Sequence, residues 1–527
     1  MDLVEVRELE GPNLFLLEPA IKIEIHSATL SQTPETQAHL YAASNNVPDD
    51  VLRLAALVRD ALAVAGLPDC PVTTVPMEVD GNYSIVFPWT DRRIARAVSG
   101  TANHLVSGGS VDLQQLQEHI TDIRAEMPGP DDVPVLIEDE RRSALTIAVT
   151  GTNGKTTTTR LLAHIFLEAG QSVGWSSSSG VYINGEEVLS GDYSGPRGAE
   201  RVLTDPEVDI AITETARGGI LLRGVVSQSV DVSVFTNISA DHLDLQGVRT
   251  VEGLAWAKGV ITRITRQDGF AVLNAADPIV MSATRKIRAQ RFLVACDSET
   301  SEIKTHGAAG GLVMTVIDGE MTLFETGIPT PVLPVADIPI TSGGAAGFMV
   351  ENSLFAAAAA LAAGATLDQV RDGLRSFQNT PEMNPGRLNV FEQNGTKVIV
   401  DYAHNEAGLV ALLDFARSLC SGVGRLIAVI GTAGDRNVAS LIEIGRLATL
   451  DSDFVIAKNT TKYLRGRDPE ELMSFYVRGI ESGRKVPYEI SKNELTAVLR
   501  ALELAKPGDV IAVMAHEYVP EISAIFA

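Results

Sequence analysis

LTIAVTGTNGKTTTTR, from Leu145 to Arg160, is the stretch on which the fold turns. Its first six residues are mostly apolar and β-branched, as in a buried strand. Gly151-Thr152-Asn153-Gly154 is too rich in turn formers to continue that strand. From Lys155 onward Leu161, Leu162, Ile165 and Phe166 share one helical face, and Gly170 stops the helix. Strand, glycine turn and helix start together form an anion cradle. Glycines let backbone N–H groups turn inward, the helix N-terminus adds partial positive charge, and Lys155 supplies a full one. Thr156 is placed to hold magnesium through its hydroxyl, with Thr157 beside it. The usual phosphate-loop pattern starts with a glycine five residues before the Gly-Lys pair, where Val149 stands here. The alternative is a glycine turn that binds nothing; the flanking strand and helix favour phosphate.

At 527 residues the chain is too long for one core and calls for two to four domains. A net charge of −24 argues against nucleic acid and against an anionic membrane surface as partners, but not against a local nucleotide pocket. The three cysteines are far apart, which fits neither a disulfide framework nor zinc spacing and predicts a reducing cytoplasm. The N-terminal MDLVEVRELEGPNLF lacks an apolar signal segment, and the alanine-rich run from Leu354 to Ala365 is shorter than a membrane span.

The pattern predicts an α/β protein in three parts. Residues 1–140 read as an α+β domain, with strands near 3–9, 21–26 and 83–89 and helices at 49–65, 90–105 and 113–125. His26, His39, His104 and His119 are scattered through it as packing or surface residues. Residues 141–381 read as a central P-loop ATPase-type domain with a parallel sheet, its strands at 208–212, 232–235 and 270–273 each ending in polar residues. Ligands of open α/β sheets sit beyond such strand ends. Residues 382–527 read as a smaller Rossmann-like domain without a G-x-G-x-x-G fingerprint.

Glu214, after one of these strands, is a candidate magnesium ligand; the alternative is a surface pair with Arg217. His242 either ligates a second metal or packs. Lys258 sits in a helix expected over Val251–Ile264. It either snorkels to water or is buried with a lowered pKa, able to add carbon dioxide and become a carbamate ligand. Arg387, in Pro385-Gly386-Arg387, and Asp401, in Asp401-Tyr402-Ala403-His404-Asn405, either reach a nucleotide from the C-terminal domain or belong to a linker and a turn.

Taken in order, TGTNGKTTTTR (150–160), ETARGGIL (214–221), TNISADHLD (236–244), LNAADP (273–278), PGR (385–387), DYAHN (401–405) and RGR (465–467) resemble the Mur ligase family. These are ATP-dependent amide-forming enzymes, and within them the string is most similar to the Mur-like part of the cyanophycin synthetases. The likeness covers residues 142–527, and Val4–Asn13 also resembles the start of the cyanophycin synthetase N-terminal domain. The resemblance implies ATP and Mg2+ as cofactors. It puts Gly151, Thr152, Asn153, Gly154, Lys155, Thr156 and Thr157 on the phosphates, with Glu214 on the same ion as Thr156. His242 and a carbamylated Lys258 would serve a second metal. Asn274 would face adenine, while Arg387, Asp401 and His404 would reach ATP from the C-terminal domain. Ala276 and Glu406 depart from the family pattern without removing a phosphate-contacting group.

The cyanophycin synthetases carry an ATP-grasp domain ahead of the Mur-like part; here the linker ends near Asp132 and the strand starts at Leu145. The expectation is therefore a ligase making one kind of amide or isopeptide bond through an acyl phosphate, releasing ADP. It would join a basic amino acid to an aspartyl carboxylate of a small molecule or peptide. The alternatives are a P-loop kinase or NTPase, or a non-catalytic nucleotide-binding partner of a polymerising ligase. Acceptor docking and homo-oligomer contacts are roles open to the N-terminal domain.

Overall fold

The computed structural model describes residues 1–28, 47–241 and 243–526; His39 and His242 lie outside them. Among the described residues three sheets follow one another in sequence order. The first is antiparallel, in the spatial order Asp2–Leu9, Ala20–His26, Asn82–Pro88, Thr73–Pro76. Ile21, Ile23 and Ile25 alternate along the second strand and share a core with Leu54 and Val58 of helix Asp49–Val64 and Val98 of helix Arg92–Val106. Thr73–Pro76 was not expected, because four residues are too few to show a period.

Leu145–Thr150 stands inside an eleven-stranded sheet, parallel to Ile210–Glu214 on one side and Val230–Phe235 on the other. Val173–Ser177 lies beyond the first of these neighbours. Thr265–Asn274, Gln290–Asp297 and Leu312–Ile317 lie beyond the second, all parallel. After Glu214 the chain therefore crosses to the other side of its first strand. Such a reversal opens a crevice at the carboxyl end of Leu145–Thr150. The parallel block matches the expectation, but antiparallel hairpins extend it at both ends: Gly180–Ile183 with Glu186–Leu189, and Glu320–Glu325 with Ile328–Pro334. Three prolines in the last of these cannot donate to a ladder, which suits its position at the sheet edge.

Helix Gly347–Ala362 runs behind the glycine turn, with Ala356 to Ala360 completely buried. Its small side chains bring it close to helix Lys155–Glu168 and strand Gln290–Asp297. The expected helix 251–264 is two pieces, Val251–Lys258 and Val260–Arg263, parted at Gly259. Lys258 thus ends a helix rather than sitting inside one.

The third sheet pairs Asn389–Gln393 antiparallel with Thr396–Asp401, followed in parallel by Val510–Met514, Leu426–Ile430, Phe454–Lys458 and Tyr488–Ser491. One apolar cluster runs without a break from Phe166 and Leu354 of the central part into Leu388, Leu409 and Leu426 of the third. The cysteines are free, and no helix among the described residues is long and apolar enough to cross a membrane.

Phe355 is fully buried in that continuous cluster, so Phe355→Ala should cost about 3–5 kcal/mol. Thermal unfolding should show this as a clearly lowered midpoint. Val423→Ala, at a fully exposed position, should leave the midpoint within experimental error.

Candidate functional site

The glycine turn keeps its shape through its neighbours. Gly151 has φ +146°, and a Cβ there would stand 1.9 Å from Thr236 Oγ1. Gly154 has φ +84°, and a Cβ would stand 2.2 Å from Asn352 Oδ1. A side chain would be strained at either φ, and at Gly151 it would also crowd Thr236 and the Asn237 backbone. The next strand end supplies the ties. Thr152 N–H donates to the Asn237 carbonyl at 2.8 Å and Asn153 N–H to Asn237 Oδ1 at 2.9 Å. Thr236 Oγ1 donates to the Asn153 carbonyl at 2.7 Å.

Helix Lys155–Glu168 starts directly from this turn. Lys155 Nζ folds back to donate to the Thr152 carbonyl at 2.9 Å. Thr156 Oγ1 donates to Glu214 Oε2 at 2.8 Å and lies 3.0 Å from Ser178 Oγ, while Ser178 N–H donates to the same carboxylate oxygen at 3.2 Å. Glu214 is the last residue of its strand and only 2% exposed. Arg217 instead donates to the Leu245 carbonyl and to Gln246 Oε1, so the carboxylate faces the turn.

Lys258 is 5% exposed and its Nζ donates to the Gly151 carbonyl at 2.6 Å. Burial, and then the charge of Lys155, hold its pKa well below the ordinary lysine value against the pull of Asp241 and Glu214. It does not snorkel to water. His242 lies outside the described residues, but its neighbour Asp241 pairs with Arg436 and stands 3.6 Å from His404 Nε2.

The third sheet closes over this end of the crevice. Arg387 Nη2 reaches Ser178 Oγ at 3.2 Å and Thr156 Oγ1 at 3.4 Å, its guanidinium 4.3 Å from the centre of the Tyr402 ring. Asp401 is half-buried and accepts Leu388 N–H at 2.8 Å; desolvation raises its pKa, and Arg387 opposes the rise. Asn405 caps helix Glu406–Ser418 and exchanges hydrogen bonds with Asn153, at 3.0 Å and 3.3 Å. A cavity of about 460 Å³ lies between the two parts, lined by residues that include Thr152–Thr157, Glu214, Arg387, Asp401 and His404.

The structure thus gathers residues 152–157, Glu214, Arg387, Asp401 and His404 at one cavity, with Gly151 and Lys258 joined behind it. Asn274 is placed differently. Its Nδ2 donates to the Thr236 carbonyl at 2.7 Å and to Glu351 Oε1 at 3.0 Å, and its Oδ1 accepts Ala276 N–H at 2.9 Å. Its amide braces the strand end that ties the turn. Ser178, Asn352, Asn405, Arg436 and His516 also line the cavity or hold its walls, beyond the site residues that the sequence reading assigns. Asn405 carried a signal, as an amide between a strand end and a helix start. Ser178 and Arg436 carried none, because their approach is purely tertiary.

Burial raises the Glu351 pKa to about 7. This group binds its proton more tightly folded than unfolded, where its value is near 4.5. Its contribution favours folding below about pH 4.5 and is lost as pH rises through about 7. Glu351→Gln keeps the acceptor for Asn274, so it should raise the thermal midpoint relative to the parent at pH 8 and not at pH 4.5.

Two family models match the chain: the Mur ligase middle domain over residues 149–360, and the Mur ligase glutamate ligase domain over residues 386–516. Cyanophycin synthetase of Synechocystis sp. is 37% identical over 382 residues, covering 72% of this chain and 43% of that protein. UDP-N-acetylmuramoyl-L-alanyl-D-glutamate–2,6-diaminopimelate ligase of Syntrophomonas wolfei is 28% identical, covering 71% of this chain and 74% of that one. The chain spans less than half the length of the cyanophycin synthetases it matches. Among solved structures, E. coli FolC in complex with DHPP and ADP has a TM-score of 0.54 at 22% identity, covering 73% of this chain and 89% of that one. A pseudomurein peptide ligase type C from Methanothermus fervidus has a TM-score of 0.51 at 20% identity, covering 78% and 84%. These two likenesses concern the fold.

Proposed function

The chain belongs to the Mur ligase family, and from that premise we propose that it is an ATP-dependent amide ligase acting through an acyl phosphate. One observation carries the reading. The Thr156 hydroxyl and the buried Glu214 carboxylate meet at 2.8 Å beside the glycine turn, in a cavity that Arg387 enters from the third sheet.

ATP would lie with its phosphates along residues 151–157. Thr156 Oγ1, Ser178 Oγ and Glu214 Oε2 form an all-oxygen cluster of the kind that suits Mg2+, which binds through one or two carboxylates together with substrate phosphates. When bound, the ion neutralises charge on the transferring phosphoryl group. Lys155 would leave the Thr152 carbonyl for the phosphates and add its own positive charge. Arg387, already against Thr156, brings a second. The carboxylate substrate takes the γ-phosphoryl group, an amine attacks the acyl phosphate, and phosphate leaves. Closure by the third sheet keeps water from the intermediate.

Lys258 suits a carbamate: its depressed pKa favours the neutral amine, which adds carbon dioxide with loss of one proton. By the family resemblance, His242 would serve a second metal together with the carbamate. Asn274 acts in this reading by holding Thr236, with adenine contact as a further role; Asp401 and His404 shape the side of the cavity opposite the turn.

Likeness to the cyanophycin synthetases favours a basic amino acid joined to an aspartyl carboxylate. Between helix Leu113–Ala125 and strand Leu145–Thr150 there are two short 3-10 turns and one isolated bridge at Ile137, so no second activating domain is inserted there. One kind of amide bond follows. The protein would accordingly make no polymer from aspartate, arginine and ATP on its own.

Lys155→Ala should lower amine-dependent ADP release by about 10²–10³-fold without changing the thermal midpoint. Hydroxylamine added with ATP and the carboxylate substrate should yield a hydroxamate. ADP release without hydroxamate would identify a kinase or NTPase instead. A screen of amino acids against aspartate-containing acceptors would identify the substrates.

A further inference from the structure

The N-terminal part does not merely precede the site. Leu14 and Val75, from that part, share an apolar core with Val248 and Leu254 of the central part. Trp256 Nε1 donates to the Leu14 carbonyl at 3.2 Å. Just after strand Thr73–Pro76, Glu78 reaches across this contact to the start of helix Val251–Lys258. One of its carboxylate oxygens accepts Arg249 N–H and Thr250 N–H, the latter at 2.8 Å; the other accepts the Thr250 hydroxyl at 2.7 Å. Thr250 Oγ1 in turn caps the helix, accepting Gly253 N–H at 3.0 Å. A Cβ on Gly253 would stand 1.8 Å from Glu78 Oε1, so the glycine makes room for the carboxylate.

Three donors converge on two oxygens, which demands a group that only accepts. A negative charge also suits the positive end of a helix. The far end of the same eight-residue helix is Lys258, whose Nζ meets the Gly151 carbonyl at 2.6 Å. At about 1.5 Å of rise per residue the two ends are roughly 10 Å apart, a short rigid lever.

We propose that Glu78 is a positioning residue for the central site: by gripping residues 249 and 250 it sets the helix that delivers Lys258 to the glycine turn. The N-terminal part is then a working component of the ligase site. For its kinetic consequence the inference rests on the function proposed above; its structural consequence stands apart from that reading.

The test uses the full chain with Glu78→Ala and, as a variant of nearly the same shape, Glu78→Gln, whose amide sets a donor against donors. Both should lower kcat for amine-dependent ADP release by about 10- to 100-fold with KM for ATP unchanged, since the nucleotide's own ligands are untouched. Both should also speed amide hydrogen exchange in residues 249–258 while leaving strand Val510–Met514 as in the parent. Unchanged kcat, or KM for ATP rising in step with its fall, would overturn the proposal, as would unchanged exchange in residues 249–258. If Glu78→Ala does not fold, Glu78→Gln decides by the same criteria. If the parent itself shows no amine-dependent ADP release, the ligase reading fails and the exchange result alone decides on Glu78.

Discussion

Gly151 approaches Thr236 so closely that the turn and the neighbouring strand end behave as one object. Thr236 and Asn237 hold the N–H groups of residues 152 and 153 and the carbonyl of Asn153, and Asn274 holds Thr236 from behind. A loop of small polar residues would otherwise sample many conformations. Here its shape comes from a parallel strand whose register with Leu145–Thr150 is set in the core. Every further feature of the cavity is measured from that turn: the carboxylate of Glu214, the amine of Lys258, and the arginine that arrives from the third sheet.

The arrival of the third sheet is itself specified by polar contacts over an apolar base. The continuous cluster through Leu388 and Leu409 supplies non-directional attraction, which would tolerate several docking angles. The paired amides of Asn153 and Asn405, and Asp241 between Arg436 and His404, are directional and accept one. Buried groups of this kind are costly when separated, so they favour a single arrangement. That arrangement puts a strand end from each sheet on one small volume.

How much of this was legible beforehand follows from how far each residue's meaning depends on distant neighbours. The run from Leu145 to Arg160 announced strand, turn and helix because each element has its own local chemistry. Glu214 could be placed because a strand ends there. The apolar pattern over 251–264 continues through Gly259 and predicts one helix, because a glycine in such a pattern does not by itself reveal a break. The proline-bearing edge strand was missed because its residues do not alternate. Ser178, Asn352 and Arg436 are ordinary polar residues in sequence. Only the folded chain brings them to the turn. Asn274 was recognised as important, yet its hydrogen bonds go to the protein's own backbone and to Glu351.

The seat of Arg387 on the Tyr402 ring has a consequence of its own. A guanidinium held by a carboxylate presents a nearly neutral pair to whatever comes next. One resting on an aromatic face is restrained in direction while its field still reaches outward. The ring therefore serves as a mount that steadies the cation, and in the proposed reaction an incoming anion would meet an attraction already aimed at it.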